Sequence, residues 1–433
     1  MNKKFHIKDI IRVSKLPFKF VYLLGCFIFF VLSVIFLIAI KKRRNKNIKC
    51  TNKVICVSHV AISFDGRIKK SANQIVNQGW DVTLLKPFDV QEDLLLERSG
   101  LDERIKLQSI GLSGVFSHFP YAFDIGMFLK MLFSTASYLH CHDVPTALMG
   151  LVVSQLTGKI LVCDLHEWKS QTTTLTNKKI NIIEEKIYQF IEEQVLKKSD
   201  FIITVNETIA EEIKNFYKVS KEILIVKNIP DFIELQPYNL REKLNIRSDY
   251  IILYYIGQLA PYRNIDNILY AIAKCEKVVF VIQGTIHEVY LNCLKELCRS
   301  LNICDKVHFL PPVPHDFIPS ACQGADIGIF ACRAIEKSMH YSLPNKLFEY
   351  IIGEIPIISE DLPVVRPYIL ENDIGFLINS NNPETISNAL NVYVNKKYKL
   401  KIHKKNIITF KEKLLHDKNN YFAYSLIYGQ NLQ

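Results

Sequence analysis

Acidic residues are almost absent from the first fifty positions of this 433-residue chain, where Asp9 stands alone beside twelve Lys or Arg residues. The whole chain has 54 basic and 43 acidic residues, so residues 51 to 433 carry 42 of each. The formal net charge of +11 therefore lies entirely in the N-terminal segment. A body without excess positive charge argues against nucleic acid as the main partner.

Cysteine spacings typical of disulfide frameworks or zinc sites are also missing. The eleven cysteines are scattered, none forms a C-x-x-C pair, and Cys56, Cys141 and Cys163 lie inside apolar runs. We interpret them as reduced thiols of a body exposed to the cytoplasm. The chain has no internal repeat, and no D-x-D carboxylate pair follows a predicted strand, which leaves no obvious site for a catalytic metal ion.

One uncharged run stands out, from Phe20 to Ile40, between two basic clusters. As a helix its 21 residues span about 31 Å, close to the hydrocarbon thickness of a bilayer. A cleaved signal peptide fits less well, because the run is longer than an ordinary signal core and ends in Lys41-Lys42-Arg43-Arg44. Residues 1–50 are therefore predicted to be a membrane anchor, single-pass or monotopic, with its helix at about residues 20–40. Six basic residues flank each side of the run, so flanking charge leaves its orientation open.

After the anchor, short Val/Ile/Leu-rich runs alternate with amphipathic stretches, which predicts an α/β protein with parallel sheets. We expect an N-terminal Rossmann-like domain at 51–229, a linker at 230–250 and a C-terminal Rossmann-like domain at 251–392. Residues 393–433 are predicted to form helices that pack across the domains.

The predicted strands fall into two sets. Those of the first domain are Val54–Val60, Asp81–Lys86, Tyr138–Cys141, Ile160–Asp164, Phe201–Val205 and Ile223–Val226. Those of the second are Ile251–Ile256, Val278–Gln283, Val307–Leu310, Ile327–Phe330, Ile355–Ile358 and Gly375–Ile378. Because open parallel sheets bind ligands beyond the carboxyl ends of their strands, two facing domains would place their site in the cleft between them.

The most specific segment is Ser342-Leu343-Pro344-Asn345-Lys346-Leu347-Phe348-Glu349-Tyr350. It predicts a turn followed by a helix whose N-terminus directs free N–H groups at an anion. Lys346 could add its charge to a diphosphate, and Glu349 could accept two hydrogen bonds from a ribose diol. The alternative is an ordinary ion pair between residues three apart on a helix surface.

Four further motifs accompany this segment. They are Gly257-Gln258-Leu259 followed by Arg263, His142-Asp143, Asp164-Leu165-His166-Glu167, and Asp65-Gly66-Arg67 with Gly79. Taken in their order along the chain, which covers roughly residues 54 to 390, these motifs resemble the family 4 glycosyltransferases of the GT-B fold, in the subgroup whose donor motif reads S-x-P-N-K-x-x-E-Y.

The resemblance implies two facing Rossmann-like domains and a nucleotide-diphosphate sugar as donor substrate. The implied catalytic residues are His166, Arg263 and Lys346, with His166 suited to proton handling near neutral pH; a structural histidine is the alternative. The implied donor-binding residues are Gly257, Arg263, Gln283, Asn345, Lys346 and Glu349. The implied acceptor-side residues are Asp65, Arg67, His142 and Glu167. Metal-free members of this fold stabilise the leaving diphosphate with fixed cations and helix ends, so we predict no essential metal and no cofactor.

One position departs from the family pattern. Many members carry a second Glu eight residues before the position of Glu349, and this chain has Tyr341 there. The change leaves the donor sugar open and weakens the inference that the enzyme retains the anomeric configuration.

The predicted function is transfer of a sugar to a lipid-linked or growing glycan acceptor at the membrane, because a tethered enzyme gains most when its acceptor is tethered too. Two alternatives remain, a nucleotide-sugar epimerase and a non-catalytic membrane-tethered subunit that has kept the fold. The sugar, the base and the acceptor depend on a few side chains that the sequence does not place.

Overall fold

The computed structural model describes residues 28, 31–35, 51–60, 62, 65–88, 98, 100–112, 124–171, 178–229, 235–314, 317–333, 336–416 and 421–429. The described residues form two compact units. Unit 1 contains those up to Thr204, together with Glu212–Leu224 and those from Ala423 onward, and unit 2 contains Val205–Glu211 and Ile225–Phe422.

The predicted anchor helix at about residues 20–40 lies largely outside the described residues. Within this stretch the structure describes residue 28 and residues 31–35. Among the described residues, no helix has both the length and the apolar character needed to cross a bilayer. The anchor therefore stays a prediction from the sequence.

Unit 1 is built on a sheet of seven described strands in the order β3-β2-β1-β4-β5-β6-β7. The strands are β1 (Lys53–Val57), β2 (Asp81–Phe88), β3 (Lys106–Leu112), β4 (Tyr138–His142), β5 (Ile160–Asp164), β6 (Phe201–Thr204) and β7 (Leu224–Ile225). Parallel pairing joins the strands from β3 through β6. The prediction of a parallel sheet is confirmed, although β3 was missed.

Helices connect these strands and cover the sheet. They are α1 (Gly66–Asn77), α2 (Ile125–Phe133), α3 (Asp143–Thr157), α4 (Lys178–Lys198) and α5 (Glu207–Tyr217). Helix α3 is apolar on almost every side and buried along most of its length, as expected for a crossover helix against a parallel sheet. Asp65 starts α1, because its Oδ1 accepts hydrogen bonds from the backbone N–H groups of Arg67 at 3.0 Å and Ile68 at 3.1 Å.

Unit 2 has a six-stranded parallel sheet in the order β10-β9-β8-β11-β12-β13. Its strands are β8 (Ile251–Ile256), β9 (Val278–Gln283), β10 (Val307–Leu310), β11 (Ile327–Phe330), β12 (Ile357–Glu360) and β13 (Gly375–Ile378). Every residue of β8 and β9 is buried, which is why these strands read as continuous apolar runs.

The helices of unit 2 cover both faces of that sheet. They are α6 (Leu240–Lys243), α7 (Ile265–Ala273), α8 (Glu288–Ser300), α9 (Ile318–Gln323), α10 (Lys337–His340), α11 (Asn345–Ile352), α12 (Arg366–Glu371), α13 (Pro383–Asn395) and α14 (Lys397–His416). Helix α11 is seated closely on the sheet, because the Tyr350 ring fills the space beside Gly328, where a Cβ would lie 2.5 Å from the ring. The Tyr350 hydroxyl donates to the carbonyl oxygen of Ile329 at 2.9 Å, which fixes the helix that carries the donor motif.

The last helix, α15 (Phe422–Tyr428), belongs to unit 1. Trp80 donates its indole N–H to the carbonyl oxygen of Tyr428 at 2.9 Å, and the Trp80 and Tyr138 rings meet edge to face at 5.0 Å. The Ser71 and Tyr424 hydroxyls are hydrogen-bonded at 2.5 Å. The end of the chain is therefore part of the core that lies behind the first-domain motifs.

Candidate functional site

The first feature of the unit 2 site is a close approach of backbone and ammonium at the end of β8. Gly257 has a φ of +120°, and its N–H donates to the carbonyl oxygen of Gln283 at 2.9 Å. A Cβ at Gly257 would lie 2.7 Å from Nζ of Lys346. Glycine is required here because a side chain would take the space of that ammonium and would be strained at this φ.

Lys346 comes from the first turn of α11 and is half-buried. Its Nζ lies 5.2 Å from the centre of the Tyr255 ring, a cation–π distance. Burial, followed by the positive charge of Arg263, lowers the pKa of Lys346 to about 8, and the negative charge of Glu349 acts in the opposite direction. A lysine held in this way lacks part of the countercharge that its ammonium needs.

Arg263 ends a short 3-10 turn, Pro261–Arg263, after β8. Its guanidinium lies 4.8 Å from the centre of the Tyr262 ring, and its buried Nε has no hydrogen-bond partner among the described residues. Within that same set, neither Arg263 nor Lys346 forms a salt bridge with a carboxylate. Two cations that influence one another without a paired anion make an electropositive site beside the Gly257 turn.

Three other residues of the predicted donor site occupy different surroundings. Glu349 is buried on α11, one turn from Lys346. Asn345 accepts a hydrogen bond at its Oδ1 from the Asn228 side chain at 3.0 Å. Gln283 is buried, and its amide donates to the carbonyl oxygen of Pro311 at 2.9 Å and accepts from the Tyr254 hydroxyl at 2.6 Å. The side-chain amide of Gln283 thus holds neighbouring parts of unit 2 together, and its contact with a donor stays a prediction.

Tyr341, which replaces the expected Glu, ends α10 and packs against the apolar core of unit 2. Its carbonyl oxygen accepts a hydrogen bond from the Asn206 side chain at 3.0 Å. The ring also meets His340 edge to face at 5.1 Å. Tyr341 therefore makes an apolar contact at the position where the expected Glu would offer a carboxylate to a sugar hydroxyl.

In unit 1, the acceptor-side motifs converge on a buried ion pair. Arg67 is 4% exposed, and Asp164, at the end of β5, is fully buried. The Arg67 guanidinium donates to Oδ1 of Asp164 through Nη2 at 2.5 Å and through Nε at 3.2 Å. Although burial opposes ionisation, Arg67 and the neighbouring histidines hold the pKa of Asp164 well below its usual range.

Three histidines surround the other oxygen of this carboxylate. Oδ2 of Asp164 lies 3.6 Å from Nε2 of His140, 3.5 Å from Nδ1 of His142 and 4.0 Å from Nε2 of His166. Nδ1 of His142 and Nε2 of His166 are 3.0 Å apart. Burial lowers the pKa of His142 to about 4, so its imidazole is neutral at physiological pH.

His166 also faces the acids that flank the cluster. Its backbone N–H donates to Oδ1 of Asp143 at 2.9 Å, and its Nδ1 lies 3.6 Å from Oδ2 of Asp143 and 3.9 Å from Oδ2 of Asp65. Glu167 is exposed and accepts a hydrogen bond from Lys169 at 2.9 Å. The structure thus brings Asp65, Arg67, His142 and His166 together, and the Glu167 carboxylate is paired with a lysine at the edge of the group.

Sequence reasoning left the central members of this cluster without a role. Asp164 and Asp143 lie inside the quoted motifs, and His140 lies two residues before His142 on β4. Their signal was the H-x-H-D and D-x-H-E spacing at the ends of adjacent strands. Whether any of these residues contacts an acceptor stays a prediction.

A family model described as glycosyl transferases group 1 matches residues 238–419. A curated protein, the D-inositol 3-phosphate glycosyltransferase of Geodermatophilus obscurus, is 22% identical over 217 residues. That match covers 46% of this chain and 46% of the relative, so the chain spans about half the length of the curated protein that it matches.

Two solved structures resemble the chain over most of its length. Sucrose-phosphate synthase from Thermosynechococcus elongatus has a TM-score of 0.70 at 14% identity and covers 87% of this chain and 98% of its own. Anabaena Alr3699/HepE in complex with UDP and glucose has a TM-score of 0.66 at 13% identity, with the same coverage. The chain therefore has the expected GT-B type of α/β fold, and residues 238–419 match the group 1 glycosyl transferases.

Proposed function

We propose that the protein is a glycosyltransferase that transfers a sugar from a nucleotide-diphosphate sugar to a glycan acceptor. The proposal rests on the electropositive site of unit 2, where Arg263 and Lys346 form no salt bridge among the described residues and the charge of Glu349 offsets only part of the lowering of the Lys346 pKa. A diphosphate is the ligand that two such cations and the glycine turn at Gly257 best accommodate.

Transfer breaks the bond between the sugar C1 and the β-phosphate oxygen and forms a bond between C1 and an acceptor oxygen. The electron pair of the broken bond stays on the diphosphate, and the acceptor hydroxyl gives its proton to His166. Arg263 and Lys346 stabilise the charge that develops on the leaving oxygen, and most strongly in the transition state if they are fixed beforehand. In this proposal the fixed cations replace a metal ion at the diphosphate, and Glu349 accepts hydrogen bonds from the ribose diol.

On the acceptor side, we propose that His166 and Asp65 lie beside the attacking hydroxyl, with the fully buried His142 behind them. His166 is the member of the buried cluster that retains some exposure, 17% of its side chain. Arg67 and Asp164 lie behind it and orient it. Glu167 is exposed at the edge of the group, where a polar acceptor could reach it.

We further propose that the acceptor is a lipid-linked or growing glycan, with the N-terminal segment as membrane anchor and the body on the cytoplasmic face. The support is the apolar run flanked by basic clusters and the reduced cysteines of both units. Structural neighbours fit this setting. Anabaena Alr3699/HepE was solved with UDP-glucose, and another neighbour, WaaG, is involved in lipopolysaccharide biosynthesis.

A second candidate function is that of a non-catalytic subunit, and Tyr341 favours it because an aromatic ring replaces a carboxylate at the expected sugar contact. A nucleotide-sugar epimerase is a third candidate, since it can share the fold. The three differ in what they do to a donor.

The test is incubation of the full chain with a panel of nucleotide sugars, first alone and then with membrane lipid extract as acceptor source. A transferase releases nucleoside diphosphate, and release increases when the lipid extract is added. An epimerase returns an isomeric nucleotide sugar without release. Binding in a thermal-shift measurement without either product would favour the non-catalytic subunit and contradict the proposal.

A further inference from the structure

The cluster at the ends of β4 and β5 in unit 1 has the composition of a metal site. His140, His142 and Asp164 are fully buried, and one ligand atom of each lies within 4.8 Å of those of the other two. The strand geometry explains the grouping. His140 and His142 are two residues apart on β4, so their side chains lie on the same face of the sheet, and His142 pairs in register with Asp164 on β5.

One distance within this cluster is long for a hydrogen bond. Oδ2 of Asp164 lies 3.6 Å from Nε2 of His140, beyond the usual range for N–H···O bonds. Two ligand atoms of a tetrahedral ion with bonds of about 2.0 to 2.1 Å lie about 3.3 to 3.4 Å apart. The separation of these two atoms is therefore close to that of atoms that share an ion.

Two buried nitrogen atoms without a hydrogen-bond partner among the described residues also support a metal site. Nε2 of His140 and Nε2 of His142 are buried and have no hydrogen-bond partner among the described residues. Nδ1 of His140 is hydrogen-bonded to the Tyr428 hydroxyl at 2.8 Å, and Nδ1 of His142 to Nε2 of His166 at 3.0 Å. A histidine whose second nitrogen is held by an outer hydrogen bond is the usual arrangement of a metal ligand.

Charge balance adds a third argument. Three carboxylates face the cluster, those of Asp164, Asp143 and Asp65, against the guanidinium of Arg67 and the ammonium of Lys169, which helps to hold the pKa of Asp143 below its usual value. Arg67 takes Oδ1 of Asp164 and leaves Oδ2 to the histidines. The carboxylates outnumber these cations, and a divalent cation would supply further positive charge among them.

We propose that His140, His142 and Asp164 bind a structural Zn²⁺ ion, with His166 as the outer hydrogen-bond partner of His142. Two imidazoles and one carboxylate are a donor set that zinc accepts. The ion joins the ends of β4 and β5 and fixes the ring of His166. The site shares His142 and Asp164 with the proposed acceptor side, and metal content and the Co²⁺ band test it separately from turnover.

The test uses the full chain, purified without chelator and analysed for metal content by mass spectrometry. We expect about one zinc per chain, as for a dedicated protein site. After zinc removal, added Co²⁺ should give the visible absorption band of a tetrahedral site, and H140Q and H142Q should lose it. H403Q is the matched control, because His403 is a buried histidine with its Nδ1 hydrogen-bonded to Tyr393 and with a single carboxylate, that of Asp373, beside it. This variant should keep both metal and band.

Circular dichroism and nucleotide-sugar thermal shifts show whether each variant is folded. If H140Q and H142Q do not fold, the wild-type chain decides: a chelator should lower its melting temperature, and zinc should restore it. A wild-type chain without stoichiometric metal and without a Co²⁺ band would overturn the proposal. Metal retained in H140Q, or stoichiometric iron in place of zinc, would also contradict it.

Discussion

If Lys346 binds the donor diphosphate as proposed, its lowered pKa makes donor affinity depend on pH. Burial and the charge of Arg263 lower the pKa of Lys346 to about 8, so its ammonium begins to lose its proton just above physiological pH. A bound diphosphate favours the charged form and raises the pKa again. Donor affinity should therefore be constant below pH 7 and fall as the pH rises through 8.

The size of the effect follows from the fraction of Lys346 that is charged. With a pKa of about 8, about nine-tenths of the free protein carries the ammonium at pH 7 and about one-tenth at pH 9. If the diphosphate binds the charged form, its affinity falls about tenfold between these values, or about 1.4 kcal/mol. The same linkage means that the buried ammonium destabilises the free fold below pH 8 and no longer does so above pH 10.5.

The assay is titration calorimetry of the full chain with the nucleotide sugar that binds it most tightly, in steps of about 0.5 pH units from about pH 6.5 to 9.5. A nucleotide sugar is preferred to a free diphosphate because its bridging diphosphate does not titrate in this range. K346R is the control, since arginine stays charged and reports any titration of the nucleotide base. A wild-type profile as flat as that of K346R would refute the assignment of Lys346 to the diphosphate.

Three further predictions concern single side chains. Glu349→Gln should weaken nucleotide-sugar binding by about 1.5 to 3 kcal/mol with the melting temperature unchanged, because the ribose diol loses a charged acceptor; equal affinity would reject that role. Arg67→Met should lower the free energy of unfolding in urea by about 3 to 5 kcal/mol, because the buried Asp164 carboxylate loses its guanidinium partner, whereas Arg104→Met, at the exposed pair with Asp102, should change that free energy little. Burial raises the pKa of Glu192 to about 7, so the free energy of unfolding should fall by about 3 kcal/mol as the pH rises from 4.5 through 7. Glu192→Gln should remove this pH dependence of the free energy of unfolding, and a dependence that persists in the variant would contradict the assignment.

Local pattern was enough to predict the strands, because the runs from Ile251 to Ile256 and from Val278 to Gln283 are apolar throughout and buried throughout. Strand β3 was missed because Lys106, Gln108 and Ser109 interrupt its apolar pattern. It forms the edge of the sheet, where polar residues are tolerated and common. The strand predicted at Ile355–Ile358 was found two residues later, at Ile357–Glu360.

For the candidate site as well, residues close together in the sequence could be predicted and contacts between distant residues could not. Lys346 and Glu349 share one short motif, so their common helix could be predicted from spacing. The contact of Lys346 with Gly257 and the pairing of Arg67 with Asp164 join residues about ninety positions or more apart. Nothing in the local sequence indicates such contacts, because they arise from the order of strands in each sheet.

Stabilisation of a leaving diphosphate by Arg263 and Lys346 is tested most directly by the release of nucleoside diphosphate from a nucleotide sugar. Release by the full chain in native membranes is compared with release by R263A, K346A and the matched exposed variant K295A. We expect turnover for the wild-type chain and K295A, and for R263A a fall in kcat that exceeds its loss of donor affinity. Equal kcat in all four proteins, or release from no nucleotide sugar by the wild-type chain, would show that these two cations do not act on a leaving diphosphate.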